Sequence, residues 1–62
     1  MVSITRLSDQ PLVINCDLIE CMESTPDTTI TMTTGRKILA KESIDDIINQ
    51  IISYKRETYR IK

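Results

Sequence analysis

Residues 28–52 read TTITMTTGRKILAKESIDDIINQII, and the change of period inside this stretch decides the fold. From Thr28 to Thr33 the side chains alternate, with Ile30 and Met32 on one face and Thr29, Thr31 and Thr33 on the other. Alternation among β-branched residues predicts a strand with its threonine face toward water. Thr34-Gly35 reads as a two-residue hairpin loop in which Gly35, the single glycine of the chain, supplies a positive φ. Arg36 to Lys41 is then the return strand, with Ile38 and Ala40 opposing Lys37, Leu39 and Lys41. Past Glu42 the period becomes 3.6. Ile44, Ile47, Ile48, Ile51 and Ile52 form one stripe of an amphipathic helix. Ser43 stands at the N-cap, and Asp46 three residues on makes a variant of the capping box. Asp45 and Asp46 suit the positive end of the helix dipole, Lys55 and Arg56 the negative end. Isoleucine is not a strong helix former, so packing rather than propensity is expected to hold this helix.

Working back from Thr28, Ser24-Thr25-Pro26-Asp27 is a turn, with Pro26 pre-setting φ at the first central position and Asp27 suiting the second. Leu18 to Glu23 reads as a strand with Leu18 and Met22 on one face and Ile19 and Cys21 on the other. Apolar groups on both faces predict a central strand, or one whose second face meets a partner chain. Asn15-Cys16-Asp17 interrupts the chain, since Asn and Asp bond their own backbone. Leu12-Val13-Ile14 is a strand entered through Pro11, whose missing N–H is tolerated at a strand start. Ser8-Asp9-Gln10-Pro11 is the polar turn before it, and Val2, Ile4 and Arg6 alternate with Ser3 and Thr5 in a first strand. The expected architecture is α+β in a single domain, residues 1–62. A small antiparallel β-meander of about five short strands, over about residues 2–41, leads into one C-terminal amphipathic α-helix over about residues 43–57. A basic tail occupies residues 55–62.

A chain of 62 residues buries only about 60% of the surface its unfolded form exposes. With neither Phe nor Trp the core is small, and self-association would add burial, so a homo-oligomer is expected. The two cysteines, Cys16 and Cys21, are not in a CxxC spacing, and with no histidine they offer none of the usual zinc sets. They read as reduced thiols, one or both half-buried. Met1 to Pro11 carries no long apolar run and has Arg6, Asp9 and Gln10 in it, and no stretch approaches the length of a membrane span, so the expected location is cytoplasmic. Net charge is −1 but unevenly spread. Residues 1–52 hold four basic residues against eight acids, whereas residues 53–62 hold Lys55, Arg56, Arg60 and Lys62 against Glu57 alone.

Catalytic chemistry finds little to work with. General acid–base catalysis most often uses histidine, and Cys16 and Cys21 have no such base to activate them. Paired carboxylates need a shielded cleft, which a chain this short rarely encloses, so Asp17, Glu20, Glu23 and Asp27 read first as solvated charges around a turn. They lack a calcium-loop pattern, and one glycine cannot build a phosphate loop. No enzyme activity, metal or cofactor is expected. Binding could fall to the isoleucine stripe, which either packs on its own sheet or in part meets another subunit. It could also fall to the basic tail with its interleaved Tyr54 and Tyr59, toward nucleic acid or anionic lipid. The acidic body repels phosphates, which argues against nucleic acid, and one short basic tail gives only weak membrane affinity.

The segments Ile4-Thr5-Arg6-Leu7, Asn15-Cys16-Asp17-Leu18-Ile19-Glu20 and Glu23-Ser24-Thr25-Pro26-Asp27-Thr28-Thr29-Ile30-Thr31 resemble the FlbD/SwrD flagellar motility family. Gly35-Arg36-Lys37, Lys41-Glu42-Ser43 and Tyr54-Lys55-Arg56 continue the likeness over nearly the whole chain. The first turn departs from it: Ser8-Asp9-Gln10-Pro11 stands where the family often has Asn-Gly, which leaves the hairpin type open. The resemblance implies a cytoplasmic protein that supports swarming or flagellar motor power, and it implies no known catalytic site. Taken with the absence of catalytic chemistry, it leads us to expect a cytoplasmic component of the motor or its regulation as partner. Within the matched motifs, Pro26 and Gly35 are expected to set turn geometry. Arg6, Asp17, Glu20, Glu23 and Asp27 are the candidate interaction surface. The alternative is a small RNA-binding regulator, because the size, the Ile-Thr-Arg start and the meander-then-helix order also resemble the CsrA translational regulators.

Overall fold

The computed structural model describes the backbone of residues 1–60 and the side chains of residues 1–57. The elements are β1 (Val2–Thr5), β2 (Pro11–Ile14), a 3-10 turn (Cys16–Leu18), β3 (Ile19–Glu23), β4 (Thr28–Met32), β5 (Lys37–Ala40) and α1 (Ile44–Arg60). This is the α+β order the periodicity predicts, with α1 running past the expected end at residue 57. All strand pairs are antiparallel, in two sheets: the β1–β2 hairpin, and β3–β4–β5 with β4 in the centre. The sheets meet edge to edge. Arg6 bridges Ala40, and the Lys41 N–H donates to the Thr5 carbonyl at 2.8 Å.

β1, β4 and β5 bury the faces that their alternation predicts. Val2, Ile4, Ile30, Met32, Ile38 and Ala40 join Ile14, Cys16 and Ile47 in one core, flanked by Leu12, Ile19, Met22 and Ile51. Thr29 and Thr31 face outward, half-buried. The helix lies chiefly against β1. Ser43 caps it as expected: its Oγ accepts from the Asp46 N–H at 3.1 Å, and its carbonyl from the Ile47 N–H at 3.1 Å. Asn15 caps the 3-10 turn in the same way, accepting from the Asp17 N–H.

Two local expectations are corrected. β3 is an edge strand rather than a central one, and its register shifts between Ile19 and Cys21. The extra residue at Glu20 is a β-bulge, which turns Ile19 onto the same side as Met22 so that both pack on the core. Leu18 and Cys21, expected to pack on opposite faces, are both exposed. The β4–β5 loop has three residues rather than two, because the Met32 N–H donates to the Arg36 carbonyl and the Gly35 N–H donates back to the Met32 carbonyl. Thr33-Thr34 form the turn and Gly35, at φ 91°, closes it in the left-handed region. The Thr25–Pro26 bond is cis. In the first hairpin, Asp9 takes a positive φ of 70°, a conformation that Asp tolerates better than most residues.

Candidate functional site: charged surfaces on a sealed scaffold

β1 is sealed by two polar side chains from the helical segment. The Ser3 N–H donates to Gln50 Oε1 at 3.1 Å, and Gln50 Nε2 donates to the Ser3 carbonyl at 2.9 Å. The carboxamide thus takes the place of a neighbouring strand. Two residues on, the Thr5 N–H and hydroxyl donate to the two oxygens of Glu42, at 2.7 and 2.8 Å. The Thr5 N–H holds the Glu42 carboxyl below its ordinary value, with help from the Thr5 hydroxyl and Lys41 and against partial desolvation. Sequence reading did not find this arrangement, since it joins residues 37 and 47 positions apart.

With the backbone satisfied there, the surface divides by charge. Glu20, Glu23 and Asp27 are exposed along β3 and the turn after it, on the outer edge of the larger sheet. Asp17 lies in the 3-10 turn and pairs with Lys55 at 3.3 Å, tying the helix to that turn. Arg6 does not join these acids, because β5 and β4 stand between it and β3. Instead Arg6 lies in a shallow cleft of about 290 Å³, where β1 and β5 diverge past their bridge. Arg6, Leu7 and Ser8 form one side, Arg36, Lys37 and Leu39 the other, with Ile38 beneath. The expected single surface is therefore two: an acidic edge and a basic cleft. Arg36 and Lys37 were missed as site residues because only the Arg6–Ala40 bridge brings them to Arg6.

The isoleucine stripe also divides. Ile47 is fully buried and Ile44 and Ile51 are partly so, whereas Ile48 is 40% and Ile52 47% exposed. In the basic tail, Lys55 and Arg56 lie on the exposed side of α1. Of Tyr59 and Arg60 only the backbone is described, as part of α1, and Lys62 lies outside the described residues. Cys16 is buried and Cys21 exposed, both as free thiols. Among the described residues no three His, Cys, Asp or Glu side chains are placed to hold a metal ion. No described helix is long and apolar enough to cross a membrane.

These features define a small α+β scaffold with separated charged surfaces. The chain belongs to the FlbD family of flagellar and swarming motility proteins, whose family model matches residues 1–59. A search of curated proteins and a search of solved structures each found no match. Its role is accordingly in flagellar and swarming motility.

Proposed function

We propose that this protein is a non-enzymatic, cytoplasmic accessory of flagellar motility, which supports swarming or motor power by binding another protein of the motor or its regulation. The family match over residues 1–59 carries this reading. The surface favours binding over chemistry: Glu20, Glu23, Asp27, Arg36 and Lys37 stand exposed on strands and turns, where they serve recognition better than proton transfer. Self-association through the exposed Ile48 and Ile52 is part of the same proposal, because two adjacent isoleucines at the helix flank lose water contact on pairing.

The test is deletion and complementation in a flagellated cell that carries the gene. Loss of swarming and of motor torque, restored by the wild-type chain, is the expected result. Unimpaired swarming and torque in the deletion strain overturn the reading. A photo-cross-linkable residue at Glu20 or Asp27, recovered by pull-down and mass spectrometry, then identifies what the acidic edge touches.

A further inference from the structure

We propose that the basic cleft between the first hairpin and β5 is a docking site for an acidic, leucine-bearing segment of the partner protein, bound in extended form. The inference rests on the proposed role as an interaction protein and specifies the chemistry of what is bound.

Charge is the first observation. Arg6, Arg36 and Lys37 gather around one cleft, and none has a carboxylate within ion-pairing distance among the described residues. Lys41 and Lys55, by contrast, are each paired, with Asp9 and Asp17. Three uncompensated cations at one place, on a chain of net charge −1, set up a local field that selects an anionic partner. The second observation is apolar. Leu7 and Leu39, 42% and 46% exposed, flank the cations on the two sides of the cleft, so the complementary surface bears an aliphatic group among its acids. The third is the strand edge. The Met32 N–H to Arg36 carbonyl bond fixes the parity of the β4–β5 ladder. Lys37 then falls at a non-hydrogen-bonded position, with its N–H and C=O pointing away from β4 toward the cleft. An extended segment can bond to that edge while its carboxylates meet the cations. A polynucleotide fits less well, because the cleft offers leucines instead of a stacking aromatic and the acidic edge of the same sheet repels a long polyanion.

The test is fluorescence anisotropy on the full chain with a labelled peptide of alternating glutamate and leucine. The controls are the glutamine–leucine analogue, a single-stranded RNA of matched charge, and the glutamate–leucine peptide in excess inorganic phosphate. The acidic peptide is expected to bind and to weaken as salt rises. It should also lose about fivefold or more in affinity in the double variant Arg36→Gln with Lys37→Gln, since each exposed ion pair contributes roughly a two- to fivefold change. Asn49→Glu with Ser53→Glu lowers net charge equally on the exposed helix face and should leave binding nearly unchanged. Four results overturn the assignment: absence of acidic-peptide binding, affinity indifferent to the cleft variant, tighter binding of the RNA, or competition by phosphate alone. Self-association in light scattering that the cleft variant abolishes also overturns it, by making the occupant a second copy. In cells, normal swarming with the cleft variant removes the cleft assignment and leaves the motility role standing. Normal swarming of the deletion strain removes the role itself.

Discussion

Gly35 and Glu42 each show one residue carrying a backbone problem. Gly35 sits at φ 91°, and a Cβ there would meet nothing within 4 Å. Its substitution therefore has a purely conformational cost. Gly35→Ala is expected to lose about 1 kcal/mol of unfolding free energy in urea titration, and Gly35→Asn clearly less, since Asn tolerates the left-handed region. Equal losses for the two would point to a contact at this position instead. Glu42 satisfies the Thr5 N–H that β2 leaves free, and its carboxyl is lowered from an ordinary value of 4.5. A carboxyl lowered by folding stabilises the fold fully above its unfolded value and loses that contribution as pH falls through the folded one. Glu42→Gln keeps one acceptor oxygen and loses the charge. The expected cost is about 1 kcal/mol at pH 7, discounted for partial exposure, and it shrinks toward zero below about pH 4. A pH-independent difference between the two melting curves contradicts the assignment. Gly35 was legible in the sequence as a turn residue because no other residue type fits there so readily. Glu42 was not, because nothing local distinguishes a carboxylate that bonds a distant strand edge from a solvated one.

At the scale of elements, the helix was the most legible part. Cap, dipole charges and isoleucine period agree along one continuous stretch, and the structure places the cap bond and the buried Ile47 where they predict. Ser43→Ala should cost about 1 kcal/mol by removing the acceptor for the Asp46 N–H. Ile47→Ala should cost about 2–4 kcal/mol by opening the core beneath β1. Denaturant melts check both, and an Ile47→Ala loss no larger than that at Ser43 would place the core elsewhere. β3 was the least legible element. A period-two reading assigns faces correctly only while the ladder is regular, and one bulged residue at Glu20 reverses every assignment on one side of it. The cis bond before Pro26 and the third residue of the β4–β5 loop escaped for a related reason: turn chemistry restricts the conformations open to a segment without choosing among them. The candidate surface divided because Arg6 reaches Arg36 and Lys37 only through the bridge to Ala40, a pairing between sheets that no local pattern encodes.

For the whole molecule, a core built from isoleucines and no large aromatics leaves two of them, Ile48 and Ile52, at the surface. Static light scattering over a dilution series is expected to show self-association in the wild-type chain that Ile48→Ser with Ile52→Ser reduces, with little change in the melting temperature of dilute protein. A monomer at every concentration contradicts that part of the proposal. The scaffold's main property is the separation of an acidic edge on β3 from a basic cleft along β5, with β4 between them. Glu20 and Asp27 on the one, and Arg36 and Lys37 on the other, are exposed side chains outside the core and the β1 seal. Motor torque, measured in cells whose sole copy carries Glu20→Gln, Asp27→Asn, Arg36→Gln and Lys37→Gln, tests this directly, since the set preserves both net charge and fold. Torque as low as in the deletion strain, from a protein that still melts like wild type, is the predicted result. Wild-type torque from the same folded variant would contradict the claim that the protein acts through these charged surfaces.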